Sequence, residues 1–348
     1  MNLPDNSPAA ETALHRVVRY LKYLIPFAVS AGMIVWLFHK VDFHEVISTI
    51  RSGCDFRYIA LMMFITMCSH IIRGIRWGIQ LRSVGLPRVP VVVESISIFG
   101  AYALNLIFPW LGEGWRCVYM SRRENAPLST VIGTDIGDRS SDALTIAVLS
   151  LLTWAVASGP LSHFFAHYAV GRDIEHYVGS PWIWIILLGV LAAFDIVNRH
   201  FHNSALVKRI DGTLDNMRRG FMVLFHLDRP WMYLLLTVGI WGCYFLETYV
   251  CLYAFPFTRE LIADPGSLYG IIPGLVIFMF GSYSMAVPSN GGLGPWNLAV
   301  MFALSLYGIS NVDGAAFSIV MWSFQAMMLI ALGIFSASYI TLHRKSQK

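Results

Sequence analysis

The sequence predicts an all-α polytopic membrane protein, with about six spanning helices plus two re-entrant hairpins in an inverted repeat. Three observations predict it. Of the 348 residues, 56% are hydrophobic and only 13% charged, with a mean hydropathy of +0.59, whereas soluble domains carry about 25% charged residues. Apolar runs long enough to cross a bilayer recur along the whole chain. Two of these runs end not in polar loops but in Pro-Gly breaks, at Pro109/Gly112 and Pro288/Gly291. The net charge of +4 does not point to nucleic acid, because the basic residues cluster beside apolar runs, where the positive-inside rule accounts for them.

Residues 1–16 read as a disordered N-terminal tail and 17–348 as a single transmembrane domain. His15, Arg16, Arg19 and Lys22 precede the first apolar run, but no small-residue cleavage site follows, so no signal peptide is expected. A first span runs from 17 or 24 to 38. A second, 58–72, ends in Arg73 and Arg76-Trp77, an interfacial anchor pattern. Residues 91–108 are apolar except for Glu94, and a short arm then reaches about residue 121. Residues 131–157 are long enough to span, although their first turns carry Asp135, Asp138, Arg139 and Asp142. Further spans are expected at 181–197 and 231–253, separated by a polar, Arg/Lys-rich stretch. Residues 271–287 are apolar up to Pro288-Ser-Asn-Gly-Gly-Leu-Gly-Pro295, a second short arm follows at 296–306, and 315–340 forms the last span.

Charge counting decides how the broken runs are placed. If every apolar run spans, the better orientation puts 15 Lys/Arg inside and 9 outside. If 91–121 and 271–306 are re-entrant hairpins, the bias becomes 18 to 5, with both termini cytoplasmic. The hairpin arrangement also divides the chain into halves, about 17–157 and 158–340. Each half reads span, span, hairpin, span, and the hairpins enter from opposite sides. Each hairpin has a long first arm, a Pro-Gly break and a short second arm headed by Trp115 or Trp296. Inverted repeats with broken helices meeting near the midplane are a transporter architecture.

The breaks hold the candidate site residues, because hydrocarbon cannot satisfy a broken backbone or a charge, and such groups are buried in protein or line a cavity. Arg116 opens a helical arm beside free backbone N–H groups and suits a phosphate headgroup; the bland reading is an interfacial Arg snorkelling to water. Glu113, three residues earlier, either pairs with Arg116 or faces a cationic headgroup. Asn105, one turn before Pro109, suits the carbonyls freed by the break. Asp138 and Asp142 share a helix face with Asp135; they either complement the helix dipole or, with Arg139, line a polar cavity against the first hairpin. Glu94 and Glu247 are lone acids in apolar runs, able to carry a coupling proton or to pair with Arg73, Arg76 or Arg139. Gly291, Gly292 and Gly294 permit positive φ and form a tight tip within reach of substrate, but without a following Lys-Ser/Thr they are no nucleotide loop. The i, i+4 pair His163/His167 lacks a third ligand, so no metal is expected, and the cysteines at 54, 68, 117, 243 and 251 show no CxxC spacing and read as packing residues.

Asn105…Phe108-Pro-x-x-Gly-Glu-x-x-Arg116, then Asp138-Arg-x-x-Asp142, then Pro288-x-x-Gly-Gly-Leu-Gly294 resembles the paired signatures of the lysylphosphatidylglycerol synthase transmembrane region, or flippase-like domain, family. The resemblance runs from about residue 20 to 340. It implies a lipid transporter that moves a phospholipid or lipid-linked anion between leaflets of the cell inner membrane. Its substrate-binding residues would be Arg116, Glu113, Asn105, Arg139, Asp138, Asp142, Gly291, Gly292 and Asn297, with hairpin breaks at Pro109, Gly112, Pro288 and Gly294. The chain departs from the family pattern at Asn297, where Glu is common, and at Asn290, where Pro is common. It stops soon after its final span, so the resemblance does not imply aminoacyl transfer. A membrane transferase with Glu113 or Asp138 as base, or a non-catalytic lipid-binding subunit, are the alternatives. The expected partners are lipid and membrane, with a second copy or a separate synthase, and no nucleic acid or cofactor.

Overall fold

The computed structural model describes residues 28, 31–33, 35, 43–109, 111–157 and 222–345. Most of the span expected at 17–38, the span at 181–197, His163/His167 and most of the Arg/Lys-rich stretch after 197 lie outside the described residues. The protein is all-α. Its helices are α1 (Phe43–Gly53), α2 (Phe56–Ser83), α3 (Val91–Ile107), α4 (Leu111–Arg123), α5 (Leu128–Val156), α6 (Pro230–Cys251), α7 (Arg259–Ala263), α8 (Ile271–Ser284), α9 (Pro295–Ser305) and α10 (Asn311–Lys345).

Three of these, α2, α6 with the turn that extends it to Ala254, and α10, are long and apolar enough to cross a membrane. At 1.5 Å per residue the 28 residues of α2 extend about 42 Å and the 35 of α10 about 52 Å, beyond the roughly 30 Å hydrocarbon core. The 29 residues of α5 have the length, but the charges of its first half interrupt its apolar character. The hairpin arms fall short: α3 has 17 residues (about 26 Å), α8 has 14 (about 21 Å) and α9 has 11 (about 17 Å). Exposed apolar side chains run along the long helices, among them Leu144, Val148 and Leu151 on α5, Leu235 and Val238 on α6, and Ile330 and Ile334 on α10, as a lipid-facing belt requires.

Both breaks turn the chain back on itself, so that α3 packs along α4 and α8 along α9. A glycine on each first arm receives the tryptophan of the second. A Cβ on Gly100 would lie 2.5 Å from the Trp115 ring, and one on Gly281 would lie 2.8 Å from Trp296 Nε1. Gly112 brings the start of α4 directly onto the Ala101 carbonyl, where any Cβ would overlap it. In the second break Gly291, Gly292 and Gly294 have φ of 58°, 80° and 91°, the left-handed region that only glycine enters without strain.

The ends of each hairpin fall at one end of the molecule. Leu86 and Val89, before α3, pack with Ala126 and Val131, after α4, in one cluster that also touches Tyr339 near the end of α10. Asp228, before α6, donates its N–H to Ser83 at this same end. At the opposite end Cys54, Ala157, Phe257, Ile262, Tyr307 and Ile309 share the other large cluster. The segments that flank the first hairpin, 84–90 and 124–131, therefore lie at the same end of the molecule.

The contacts also come in matched pairs. Helix α2 packs on α3 as α6 packs on α8; α3 lies against α10 as α8 lies against α5; α4 meets α5 as α9 meets α10. The α2–α6 pair sits where the two halves exchange. Among the described helices, those around the first break and those around the second thus pack in corresponding pairs.

Candidate functional site

Helix α2 does not stop at Arg73. It continues to Ser83, and Arg73, Arg76 and Trp77 are buried, which corrects the expected interfacial anchor. The reason is on α5. Positions 73 and 76 share a face of α2, and positions 138 and 142 share one on α5, so two cations meet two carboxylates across the helix pair. Arg73 Nη1 lies 2.7 Å from Asp142 Oδ2 and 3.4 Å from Asp138 Oδ2, and Arg76 Nη2 lies 2.7 Å from one oxygen of each. Helix α6 closes the third side. Tyr244 OH accepts from Arg73 Nε (3.2 Å), Thr237 Oγ1 from Arg76 (3.3 Å), and the Tyr233 ring lies 5.4 Å from the Arg76 guanidinium.

Arg116, on the first turns of α4, is only 1% exposed. It is ion-paired to Asp135, reaches Asp138 Oδ2 at 3.6 Å, and stacks on the Trp77 ring at 4.5 Å. Its partner is thus α5 and not Glu113. Glu113 instead pairs with Arg139 and accepts from Asn105 Nδ2 (2.9 Å). Asn105 serves amides rather than the freed carbonyls: its Oδ1 accepts the Gly112 N–H (2.8 Å), which would otherwise be one of the unpaired donors at the start of α4. The i, i+3 pairing of Glu113 with Arg116 fails because each has a partner on α5 that the tertiary packing presents at closer range.

The cluster balances. Arg73, Arg76, Arg116 and Arg139 stand against Glu113, Asp135, Asp138 and Asp142, and the pairs interlock. Burying isolated ions costs several kcal/mol each, and only such pairing offsets it. Arg139 is the exception in exposure, with 39% of its side chain accessible. Arg139 is thus accessible from outside the cluster, whereas Arg116 is covered by Asp135, Asp138 and the Trp77 ring. Apolar side chains at the first tip, Ile107, Phe108 and Leu111, are exposed close to this pair in the chain.

The two tips meet. The Asn105 carbonyl accepts the Gly291 N–H at 3.1 Å and the Ile107 carbonyl accepts Asn290 Nδ2 at 2.7 Å. A Cβ on Gly291 would lie 2.5 Å from Leu106 Cδ2. The freed carbonyls of the first break are therefore satisfied by the second hairpin, and Trp322 Nε1 from α10 donates to Gly291 O at 2.9 Å. Asn297 stays within its own hairpin, where its Oδ1 accepts the Gly294 N–H at 3.1 Å. Gly292 packs on Met285 and Trp296. The structure thus brings Asn105, Glu113, Arg116, Asp138, Arg139 and Asp142 together and joins Gly291 to them, while Asn297 remains apart.

Sequence reasoning missed Arg73, Arg76 and Tyr244 as members of the cluster. The spacing Arg73…Arg76…Gln80 was a legible signal, since it draws one polar stripe on an apolar helix. Glu94 and Glu247 do not use these arginines: Glu94 pairs with Arg82 at 3.1 Å and Glu247 accepts from Gln325 Nε2 at 2.9 Å. Among the described residues no His/Cys/Asp/Glu group has metal-binding geometry.

With the paired breaks and the buried cluster in place, the comparison with known families is decisive. The family described as the lysylphosphatidylglycerol synthase TM region matches residues 23–333. The chain belongs to this family. It is a multi-pass membrane protein of a lipid-related family, and the match spans both hairpins, so the charged break and the glycine break are parts of one family domain. No curated protein and no solved structure matches the chain.

Proposed function

We propose that this protein translocates a phospholipid or lipid-linked anion between leaflets, in the cell inner membrane with both termini cytoplasmic. In this reading residues 17–348 work as one transmembrane domain, and halves 17–157 and 158–340 move against each other. One observation carries it: two broken-helix tips of opposite halves are hydrogen-bonded to each other beside a charge-balanced cluster with one accessible cation, Arg139. A headgroup phosphate exchanges for Glu113 on Arg139, and a cationic headgroup group takes the released Glu113. Arg116 is the deeper phosphate ligand, reached when Asp135 gives way; Asn105, Asp138 and Asp142 hold the frame, and Gly291, Gly292 and Asn297 form the opposing tip. The acyl chains remain in lipid, against the exposed Ile107, Phe108 and Leu111.

The test is leaflet exchange of a fluorescent phospholipid in vesicles containing the purified protein, read by quenching from outside. Wild-type protein raises the exchange rate over empty vesicles, and Arg139→Ala lowers it toward the empty-vesicle rate while the protein keeps its melting temperature. Exchange by Arg139→Ala at the wild-type rate refutes the headgroup role. A new lipid species in membranes that contain the protein, detected by mass spectrometry, would instead support the transferase reading.

A further inference from the structure

The α2–α6 helix pair is joined by a polar seam that runs well beyond the charged cluster. From one end its rungs are Gln80–Tyr233 (2.8 Å), Arg76–Thr237 (3.3 Å) and Arg73–Tyr244 (3.2 Å). One turn further along both helices stands Glu247, in the last turns of α6 and 4% exposed. Among the described residues no cation pairs with it. Gln325 Nε2 of α10 donates to its Oε2 at 2.9 Å, and the hydroxyls of Thr66 and Ser69 on α2 face its carboxyl. Oε1 accepts no hydrogen bond.

The direction of those hydroxyl bonds matters. Thr66 Oγ1 donates its proton to the Met62 carbonyl (3.0 Å), and Ser69 Oγ donates to the Thr66 carbonyl (2.7 Å). With Oε1 lacking a hydrogen-bond partner and no cation paired to it among the described residues, an anionic Glu247 is a buried, half-satisfied charge, which is costly. Protonation removes that charge, and a hydroxyl oxygen has lone pairs able to accept the new O–H.

The surroundings contain little else that titrates. Helix α2 carries Cys68, near Cys243, His70, stacked on the Tyr102 ring, and Arg73 one turn beyond Ser69; α6 itself carries Cys243 and Cys251 on either side of Glu247; α10 presents Gln325. Helix α8, packed on the other flank of α6, has no charged residue and only Tyr283 to titrate. When the proton leaves, the nearest positive charge along the seam is Arg73, already shared by Asp138 and Asp142. Loss of the proton therefore places a negative charge one helical turn along α6 from the Arg73–Tyr244 rung of the cluster.

We propose that Glu247 is a proton-binding site that couples proton uptake and release to the charged cluster, through Arg73 on the α2–α6 seam. Its ligand is the proton itself and not sodium, because the site supplies two hydroxyl lone pairs and an amide that donates, whereas sodium needs a shell of about six oxygen acceptors of the kind that hard cations take. The link to transport rests on the leaflet-exchange reading; the proton site does not.

The experiment is infrared difference spectroscopy of the full-length protein in vesicles, wild type minus Glu247→Gln, from about pH 5 to about pH 9, a window that brackets ordinary and buried carboxyls. A protonated-carboxyl band that belongs to Glu247, shifts in D2O and disappears as pH rises through the window supports the site. The absence of such a band at every pH, a band unchanged throughout, or its loss on adding sodium at fixed pH overturns it. Dicyclohexylcarbodiimide, which modifies protonated carboxyls from the lipid phase, provides a readout that needs only wild-type protein. Labelling at Glu247 should fall about tenfold or more across the window and be insensitive to sodium, and pH-independent or sodium-suppressed labelling overturns the proposal. If Glu247 titrates but wild-type vesicles show no lipid exchange, the proton site stands and the transport reading fails.

Discussion

Arg116 and Arg139 lie one on each arm of the same corner, yet burial gives them different properties. Arg116 is enclosed between Asp135, Asp138 and the Trp77 ring, so removing it strands two buried carboxylates. Arg116→Ala is expected to destabilise the protein by about 3–5 kcal/mol, read as a lower melting temperature in detergent. The double variant with Asp135→Asn should recover part of that loss, because the uncompensated charge goes with its partner. Arg139, 39% exposed, sits closer to the solvent-screened case, in which an ion pair contributes about 0–1 kcal/mol. Arg139→Ala should therefore leave the melting temperature within a few degrees while lowering leaflet exchange. Equal stability losses in the two variants would show that the cluster is uniformly buried and that Arg139 offers no entry.

Among the elements, the hairpins depend on glycine at places where a side chain has no room. Gly291 combines a φ of 58° with contact to Leu106 of the other tip. Gly291→Ala should cost at least about 1 kcal/mol in backbone strain alone and more through the tip contact, whereas Gly114→Ala, which meets open space inside helix α4, should be neutral or stabilise by up to about 1 kcal/mol. Thermal unfolding of the two variants side by side checks this contrast. Gly100 and Gly281 show that the same device, a tryptophan of the short arm laid on a glycine of the long arm, was built twice. Gly100→Leu should open the first hairpin and expose Trp115, seen as a red shift of its fluorescence in a protein whose other tryptophans are replaced.

At the scale of the whole molecule, the two hairpin tips meet through one main-chain hydrogen bond and one donated by the Asn290 side chain. In the proposed function this joint parts and re-forms as one half moves against the other. A disulfide between Leu106→Cys and Asn290→Cys should form under oxidation, block leaflet exchange, and release it on reduction. Exchange that continues through the locked tips would mean that the halves do not separate there. Topology follows the same geometry: cysteines placed at 87 and 125 should label from one side of the membrane, and cysteines at 260 and 308 from the other. If 87 and 125 label from opposite sides, α3 or α4 crosses the bilayer and the hairpin is not re-entrant.

The amino-acid sequence by itself determined the class, the helical runs among the described residues and the two breaks, because hydropathy and Pro-Gly punctuation are local or summed quantities that need no neighbours. It also placed Asn105, Glu113, Arg116, Asp138, Arg139 and Asp142 in one region, since charge in an apolar run has to be accounted for wherever it falls. What only the tertiary structure decided was the pairing. Arg116 prefers Asp135 over Glu113, Arg73 and Arg76 turn inward where an anchor was expected, and Asn105 bonds the Gly112 N–H and Glu113 rather than the freed carbonyls. Ion pairs and hydrogen bonds are chosen by three-dimensional proximity in a medium without water, where every donor must find its acceptor, and that choice is absent from any reading along the chain.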